Sequence, residues 1–203
     1  MLARFPDAAV EVVAEGWEER WRDFHRPVTI GPLWVGPPWE EPPTAAPAVV
    51  IDPGRAFGTG AHPSTRLCVE LLLGERRGGL LDVGCGSGVL ALVAARLGFG
   101  PVTAVDVDPV AVAATRSNAR ANGVVLDVRR VDARAEALPA AELAVANLSL
   151  EAVEAIGPAL RGPRLIAAGY LAGDRPELRP FRRLARRELD GWAADLFARP
   201  TRT

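Results

Sequence analysis

The chain has 203 residues, 49% of them hydrophobic, which suffices for one domain with a sizeable buried core. A net charge of −1 excludes the global basic field that attracts nucleic acid. No apolar run is long enough to cross a bilayer, and the first residues lead into no signal-like stretch. The two cysteines, Cys68 and Cys85, predict neither a disulfide framework nor a metal site. We therefore expect a soluble protein of the cytoplasm.

The first part of the chain differs in composition from the rest. Residues 1–48 are predicted to form a short extension or linker, and residues 49–203 the main domain. Within the extension, residues 16–25 predict an amphipathic helix whose aromatic residues face a core. Residues 28–35 predict two short strands around Gly-Pro, and residues 36–47 a proline-rich, extended connector.

From residue 80 onward, predicted strands and helices alternate. Strands are predicted at 80–86, 101–107, 124–131, 141–148 and 163–171, helices at 88–98, 109–123, 150–160 and 175–185, and a terminal hairpin at 186–199 around Asp190-Gly191. This alternation predicts an α/β fold, a mostly parallel seven-stranded sheet with helices on both faces. The hairpin predicts an antiparallel strand at one edge.

A glycine-rich loop, "DVGCGSG", follows the first of these strands and opens a helix. Gly84, Gly86 and Gly88 allow the backbone to approach a ligand without a Cβ clash, and Asp82 is the first residue of the motif. The spacing is G-x-G-x-G rather than the G-x-G-x-x-G of dinucleotide sites. It therefore favours a nucleoside ligand that lacks a pyrophosphate.

Two acidic residues follow the next two strands. Asp106 comes 22 positions after Gly84, where a carboxylate can accept hydrogen bonds from both ribose hydroxyls; the alternative is a turn residue at a strand end. Asp108 is predicted to cap the next helix. Asp132 could accept a hydrogen bond from an adenine amino group, or serve as a turn carboxylate.

Asn147 ends the strand "AELAVANL" and is one of three asparagines in the chain. Ligands of open α/β sheets bind at the carboxyl ends of central strands. The Asn147 side-chain oxygen can accept a hydrogen bond from an amine N–H, while a nearby backbone carbonyl accepts another. This arrangement suits an amine nucleophile that must present its lone pair to an electrophilic methyl group.

Four segments carry a resemblance to a known family. "IDPGRAFGTGAHPSTRLCVELL", "LLDVGCGSGVLALVAARLG", "AVDVDPVAVAATRSNARANG" and "VANL" occur in this order. Together they resemble the enzymes that methylate ribosomal protein L11, which are Rossmann-like class I S-adenosylmethionine-dependent methyltransferases. The similarity runs from about Trp17 to Phe197, and FGTG-x-H-P-x-T is its most specific part.

The resemblance implies roles for individual residues. The implied cofactor-binding residues are Phe57, Gly58, Thr59, Gly60, Thr65, Asp82, Gly84, Gly86, Gly88, Asp106, Val107, Asp132, Ala133 and Asn147. The implied catalytic residues, at the methyl end of the cofactor, are Asn147 and Leu148. The FGTG segment would close over the methionine half of S-adenosylmethionine. His62 is either a hydrogen-bonded structural residue or a general base.

The methyl acceptor is the point on which the sequence departs from the family. Full-length members carry a separate N-terminal domain that recognises the ribosomal protein, and we expect that domain to be absent here. The first expectation is still a protein amine of L11, either a lysine side chain or the N-terminus. The alternatives are another protein, such as an electron-transfer flavoprotein subunit, a small-molecule amine, or a non-catalytic S-adenosylmethionine-binding module.

Nucleic acid is a less favoured partner. The basic residues at 179–187 predict a solvated helix face, with contact to ribosomal RNA as the alternative. The strand that ends in "ANLSL" lacks the proline and aromatic pair with which amino-methylating nucleic-acid enzymes stack a base. We expect a monomer with no membrane partner and no sequence-specific contact to nucleic acid.

Overall fold

A computed structural model describes residues 26–44, 46–52 and 60–200. Its strands are β1 (Val28–Ile30), β2 (Leu33–Gly36), β3 (Ala48–Val50), β4 (Leu80–Val83), β5 (Val102–Asp106), β6 (Asp127–Arg130), β7 (Leu143–Asn147), β8 (Arg164–Leu171), β9 (Arg182–Leu189) and β10 (Trp192–Ala198). Its helices are α1 (Pro63–Leu73), α2 (Val89–Arg96), α3 (Pro109–Ala121) and α4 (Leu150–Ile156), the last continued by a 3-10 turn at Gly157–Ala159. The predicted helix at 16–25 lies outside the described residues.

The main sheet has seven strands in the order β6-β5-β4-β7-β8-β10-β9. Its first five strands pair in parallel, and β10 pairs antiparallel with both β8 and β9. The predicted α/β fold and its antiparallel edge are thus confirmed. Within the terminal hairpin, β10 is the reversed strand and β9 forms the outer edge.

Apolar side chains cover both faces of this sheet, because alternate residues of a strand point to opposite sides. On β4, Leu80 belongs to the core that α1, α2 and α3 cover, and Leu81 to the core that α4 covers. Both leucines are about 1% exposed. The sheet is therefore buried on both faces, as a parallel sheet requires.

A second, three-stranded sheet precedes the main one. Strands β1 and β2 form an antiparallel hairpin that confirms the two short strands expected from the sequence, and β3 adds in parallel to β2. Leu33, Val35 and Val49 pack in the same core as α1 and α2. The boundary expected after residue 48 falls inside β3, and the division into extension and main domain stays a prediction.

The helix predicted at 175–185 is wrong. Residues 182–185 instead begin β9, which runs alongside β10 with Leu189 opposite Trp192. Pairing with β10 outweighs the helical propensity of the arginine- and leucine-rich segment, and two prolines precede it. Four of the five basic residues at 179–187 therefore lie along an edge strand, and Arg179 precedes it. Four of the five at 179–187 are exposed, while Arg186 turns inward towards the buried Asp195.

Candidate functional site

A cavity of about 690 Å³ lies at the carboxyl ends of β4, β5 and β7. This volume is in the range of small-molecule sites, and the location is where open α/β sheets bind ligands. Ten of the residues implicated from the sequence line it: Thr65, Asp82, Gly84, Gly86, Asp106, Val107, Asp132, Ala133, Asn147 and Leu148.

The remaining implicated residues are placed differently. Gly88 caps α2, and a Cβ there would lie 2.8 Å from the Thr115 methyl carbon. Gly60 faces Val35, whose methyl carbon would lie 2.6 Å from an added Cβ. Neither lines the cavity in the described structure, so their visible contacts are packing contacts. Phe57, Gly58 and Thr59 lie outside the described residues.

The glycine loop turns sharply between β4 and α2. Gly84 and Gly86 have φ angles of 74° and 55°, a region that favours glycine. Asp82, 1% exposed, accepts a hydrogen bond from the Ala91 N–H at the start of α2, 3.0 Å away. The pKa of Asp82 is raised to about 7: burial raises it most, the hydrogen bond from Ala91 lowers it, and the nearby charge of Asp106 raises it. The carboxyl thus holds the loop to the helix.

Asp106 stands at the end of β5 and faces the same cavity. One carboxylate oxygen accepts from the Gly86 N–H at 3.0 Å, and the other from the Asp108 N–H at 2.9 Å. A carboxylate has about four acceptor positions, so both oxygens keep capacity for a ligand hydroxyl. Asp108 caps α3 through the Val110 N–H, as expected, with Pro109 in the first turn.

Asp132 lies in the loop after β6. Its Oδ1 accepts from the Arg134 N–H at 2.9 Å, which is a turn contact. The residue also lines the cavity. Both readings of this carboxylate therefore have a structural basis, and the adenine contact stays a prediction.

Asn147 ends β7 and meets the start of α1. Its Nδ2 donates to Thr65 Oγ1 at 3.1 Å, and Thr65 is 2% exposed. The amide is therefore oriented by its nitrogen, and Oδ1 accepts no hydrogen bond from the residues that the structure describes. This leaves an acceptor oxygen at the cavity, in a position that suits an amine N–H.

The start of α1 also carries a pair of rings. His62 is the N-cap residue, and its Nδ1 lies 2.8 Å from Ser64 Oγ. The ring meets the indole of Trp192 edge-on, with centroids 4.6 Å apart. Burial lowers the pKa of His62, so the neutral ring is favoured. These contacts fit the hydrogen-bonded structural role for His62, and the choice between that role and a general base stays a prediction. The local sequence around Trp192 gives no signal of this contact.

Further cavity residues were not anticipated. Ala152 and Ile156 reach the cavity from α4, and Arg134 from the loop after β6. The two α4 residues are four apart, hence on one face of the helix, but nothing local distinguishes that face from an ordinary core face. Both cysteines are buried free thiols whose pKa values are raised by burial. Within the described ranges, no group of three metal-ligating side chains occurs, and no helix has the length and apolarity of a membrane span.

Comparison with known proteins places this site in a family. The family model for ribosomal protein L11 methyltransferase (PrmA) matches residues 3–171. A ribosomal protein L11 methyltransferase of Symbiobacterium thermophilum is 39% identical over 93% of this chain and 67% of its own length. That of Halorhodospira halophila is 41% identical over 80% of this chain and 59% of its own length. This chain therefore spans about six-tenths to two-thirds of these relatives.

A solved structure agrees. The ribosomal protein L11 methylase of Lactobacillus delbrueckii subsp. bulgaricus superposes with a TM-score of 0.75 at 25% identity, over 86% of this chain and 99% of that one. The residues matched by the family model, 3–171, include the glycine loop, Asp106 and Asn147. The chain belongs to the ribosomal protein L11 methyltransferase family.

Proposed function

We propose that this chain transfers a methyl group from S-adenosylmethionine to an amine of a protein, with ribosomal protein L11 as the acceptor. The observation that carries the proposal is Asn147, held by Thr65 so that its amide oxygen remains for an incoming N–H. Family membership supports the same reaction class. Relatives named for L11 support the acceptor, and the cytoplasm, where ribosomal proteins are made, is the setting that this acceptor implies.

The residues of the cavity fit the proposed cofactor. Positive φ angles bring the backbone of Gly84 and Gly86 to the cavity wall, where it can follow a nucleoside closely. Asp106 offers free acceptor capacity for two ribose hydroxyls, and Asp132 offers the same to an amino group. Once bound, S-adenosylmethionine supplies an electrophilic methyl group on a good, neutral leaving group.

The chain's own contribution is alignment of the amine and exclusion of water. An alkylammonium has no lone pair, and its ordinary pKa of about 10.4 must fall before it can react at neutral pH. Burial in a partly apolar cavity lowers that pKa. Asn147 Oδ1 and the Leu148 carbonyl can each accept one N–H of the neutral amine, which leaves its lone pair for the methyl carbon. No side-chain base is required when the proton leaves to water before binding.

Two substitutions separate binding from turnover. Asn147→Ala should lower kcat by about 100-fold or more while the dissociation constant for S-adenosylmethionine changes by less than about threefold. Asp106→Ala should instead weaken cofactor binding by about 10- to 100-fold, because hydrogen bonds to a charged group are lost. The matched control is Asp127→Ala, which removes an exposed carboxylate on β6 and should change neither kcat nor the dissociation constant for S-adenosylmethionine.

Isothermal titration with S-adenosylmethionine and a mass-spectrometric methyl-transfer assay measure the two quantities. Equal losses of cofactor affinity in Asn147→Ala and Asp106→Ala would contradict the assignment. A wild-type protein that binds the cofactor but leaves L11 unmodified would move the acceptor to another protein or to a small amine. A wild-type protein that binds and methylates nothing would indicate a non-catalytic binding module.

A further inference from the structure

Leu148 is held between two glycines, one in the glycine loop after β4 and one in β8. A Cβ built on Gly84, in the glycine loop, would lie 2.4 Å from Leu148 Cδ2. A Cβ built on Gly169, in β8, would lie 2.3 Å from the Leu148 carbonyl oxygen and 2.8 Å from its carbonyl carbon. The side chain of Leu148 therefore rests on the glycine loop, and its peptide rests on β8.

The two contacts differ in whether the part of Leu148 that meets the glycine can move away. At Gly84 the obstacle is the end of a flexible side chain, which can rotate away. At Gly169 the obstacle is the backbone, and the Leu148 N–H already donates to the Ala168 carbonyl at 2.9 Å. A side chain at position 169 would therefore have to displace the Leu148 carbonyl itself.

The Leu148 carbonyl has acceptor capacity to spare. It follows Asn147 directly, its residue lines the cavity, and none of the described N–H groups donates to its oxygen. A carbonyl without a donor, next in the chain to the Asn147 amide, can provide the second acceptor that a neutral amine needs. Its position is set by the closeness of β8, and only glycine permits that closeness.

We infer that Gly169 is a positioning residue for methyl transfer: it lets β8 press against the Leu148 peptide and so fixes the carbonyl that receives the acceptor amine. The inference rests on the proposed function, because it assigns the Leu148 carbonyl to the same amine as Asn147. A displacement of about 1 Å in an alignment group can lower turnover by about 100-fold. Gly169 touches neither reactant in this arrangement and acts only through Leu148.

The test substitutes Gly169 and a glycine of similar backbone conformation. Gly169 has φ 98° and Gly191 has φ 80°, but an added Cβ at Gly191 meets nothing within 4 Å. Both substitutions to alanine impose comparable backbone strain. Gly169→Ala should lower kcat by at least about 30-fold with the S-adenosylmethionine dissociation constant within about threefold, whereas Gly191→Ala should keep both.

A second variant approaches the same contact from the other side and carries little folding risk, since Leu148 is only half-buried. Leu148→Ala removes the side chain that rests on Gly84 and should lower kcat by about 10-fold at unchanged cofactor affinity. Wild-type turnover on L11 is measured first, because its absence would overturn the proposed function. With an active wild type, turnover of Gly169→Ala within threefold of wild type would overturn the inference alone. Loss of cofactor binding in Gly169→Ala, together with full activity of Leu148→Ala, would also overturn it.

Discussion

Asn118 and Asn122, four apart on α3, bind the backbone at the end of β3 and just after it. Asn118 Oδ1 accepts from the Asp52 N–H at 3.1 Å, and its Nδ2 donates to the Asp52 and Ser87 carbonyls at 3.2 and 2.9 Å. Asn122 makes the corresponding pair with the N–H and carbonyl of Val50, at 2.8 and 2.6 Å. The two amides thus pair with β3 and its continuation as a neighbouring strand would. We predict that Asn118→Ala is among the more destabilising polar substitutions in this chain.

The expected loss of unfolding free energy in Asn118→Ala depends on whether water can replace each hydrogen bond that is removed. Asn118 is 2% exposed, and its bond to the Ser87 carbonyl is fully buried. A buried acceptor that loses its donor costs about 1–3 kcal/mol. The two bonds to Asp52 are only partly buried, and water can replace them at about 0.5 kcal/mol each. The free energy of unfolding should therefore fall by about 2–4 kcal/mol.

Urea unfolding followed by tryptophan fluorescence measures this loss. Ser117→Ala, one position earlier and exposed, is the control and should change stability by less than about 0.5 kcal/mol. Asn118→Asp is nearly isosteric but loses both donors and places a carboxylate beside two carbonyl oxygens, so at neutral pH it should destabilise at least as much as alanine. A loss below about 1 kcal/mol for Asn118→Ala, or a milder effect of aspartate, would refute this reasoning.

Two further predictions concern charges. The pKa of Asp82 is raised to about 7 in the folded protein, against about 3.9 in the unfolded chain. Between these two pH values the folded protein binds a proton that the unfolded chain has lost, so the free energy of unfolding falls as the pH rises from about 4 to about 7. Asn at position 82 does not titrate, so the free energy of unfolding of Asp82→Asn, measured with urea, should rise relative to that of the wild type by up to about 4 kcal/mol between pH 4 and pH 8. Stabilities of the two proteins that change in parallel with pH would contradict this prediction. Glu75→Gln should lose about 1–2 kcal/mol, because the carboxylate is 10% exposed and binds Arg164 through both oxygens. Asp127→Asn, which breaks an exposed pair with Arg129, should lose less than about 0.5 kcal/mol, and equal losses for the two would contradict the burial argument.

The sheet and the cofactor-facing loops could be predicted because their signals are local. Short apolar runs that end in glycine mark β4 and its turn, and Pro109 behind a capping aspartate marks the start of α3. Residues 182–185, the first half of β9, are predicted as helix for the complementary reason. Their arginines and leucine are typical of a helix face, and only pairing with β10, together with the inward salt bridge from Arg186 to Asp195, decides for a strand.

In the candidate site, too, single residues can be predicted from local sequence, whereas the contacts between them cannot. Asp106 and Asn147 are recognisable from their positions at strand ends, but the contact between Asn147 and Thr65 joins residues 82 positions apart. Gly169 lies inside a strand, and a glycine there indicates that another part of the backbone or a ligand approaches closely, without indicating which. That the partner is the Leu148 carbonyl depends on how β7 and β8 pair, which no local pattern encodes. The asparagines of α3 are recognisable in the sequence. They lie four residues apart on a largely buried helix face, where their amides need hydrogen-bond partners.

Whether this chain methylates L11 is decided by intact-mass spectrometry of L11 from the same organism, incubated with this protein and S-adenosylmethionine. All 24 basic residues of the chain are arginine, so it has no lysine of its own to modify and its N-terminus is the one competing amine of that kind. We expect mass gains of L11 in whole methyl units with the wild type and none with Asn147→Ala. An unchanged L11 mass, with cofactor binding confirmed by titration, would contradict L11 as the acceptor. Equal methylation by wild type and Asn147→Ala would contradict the role assigned to Asn147.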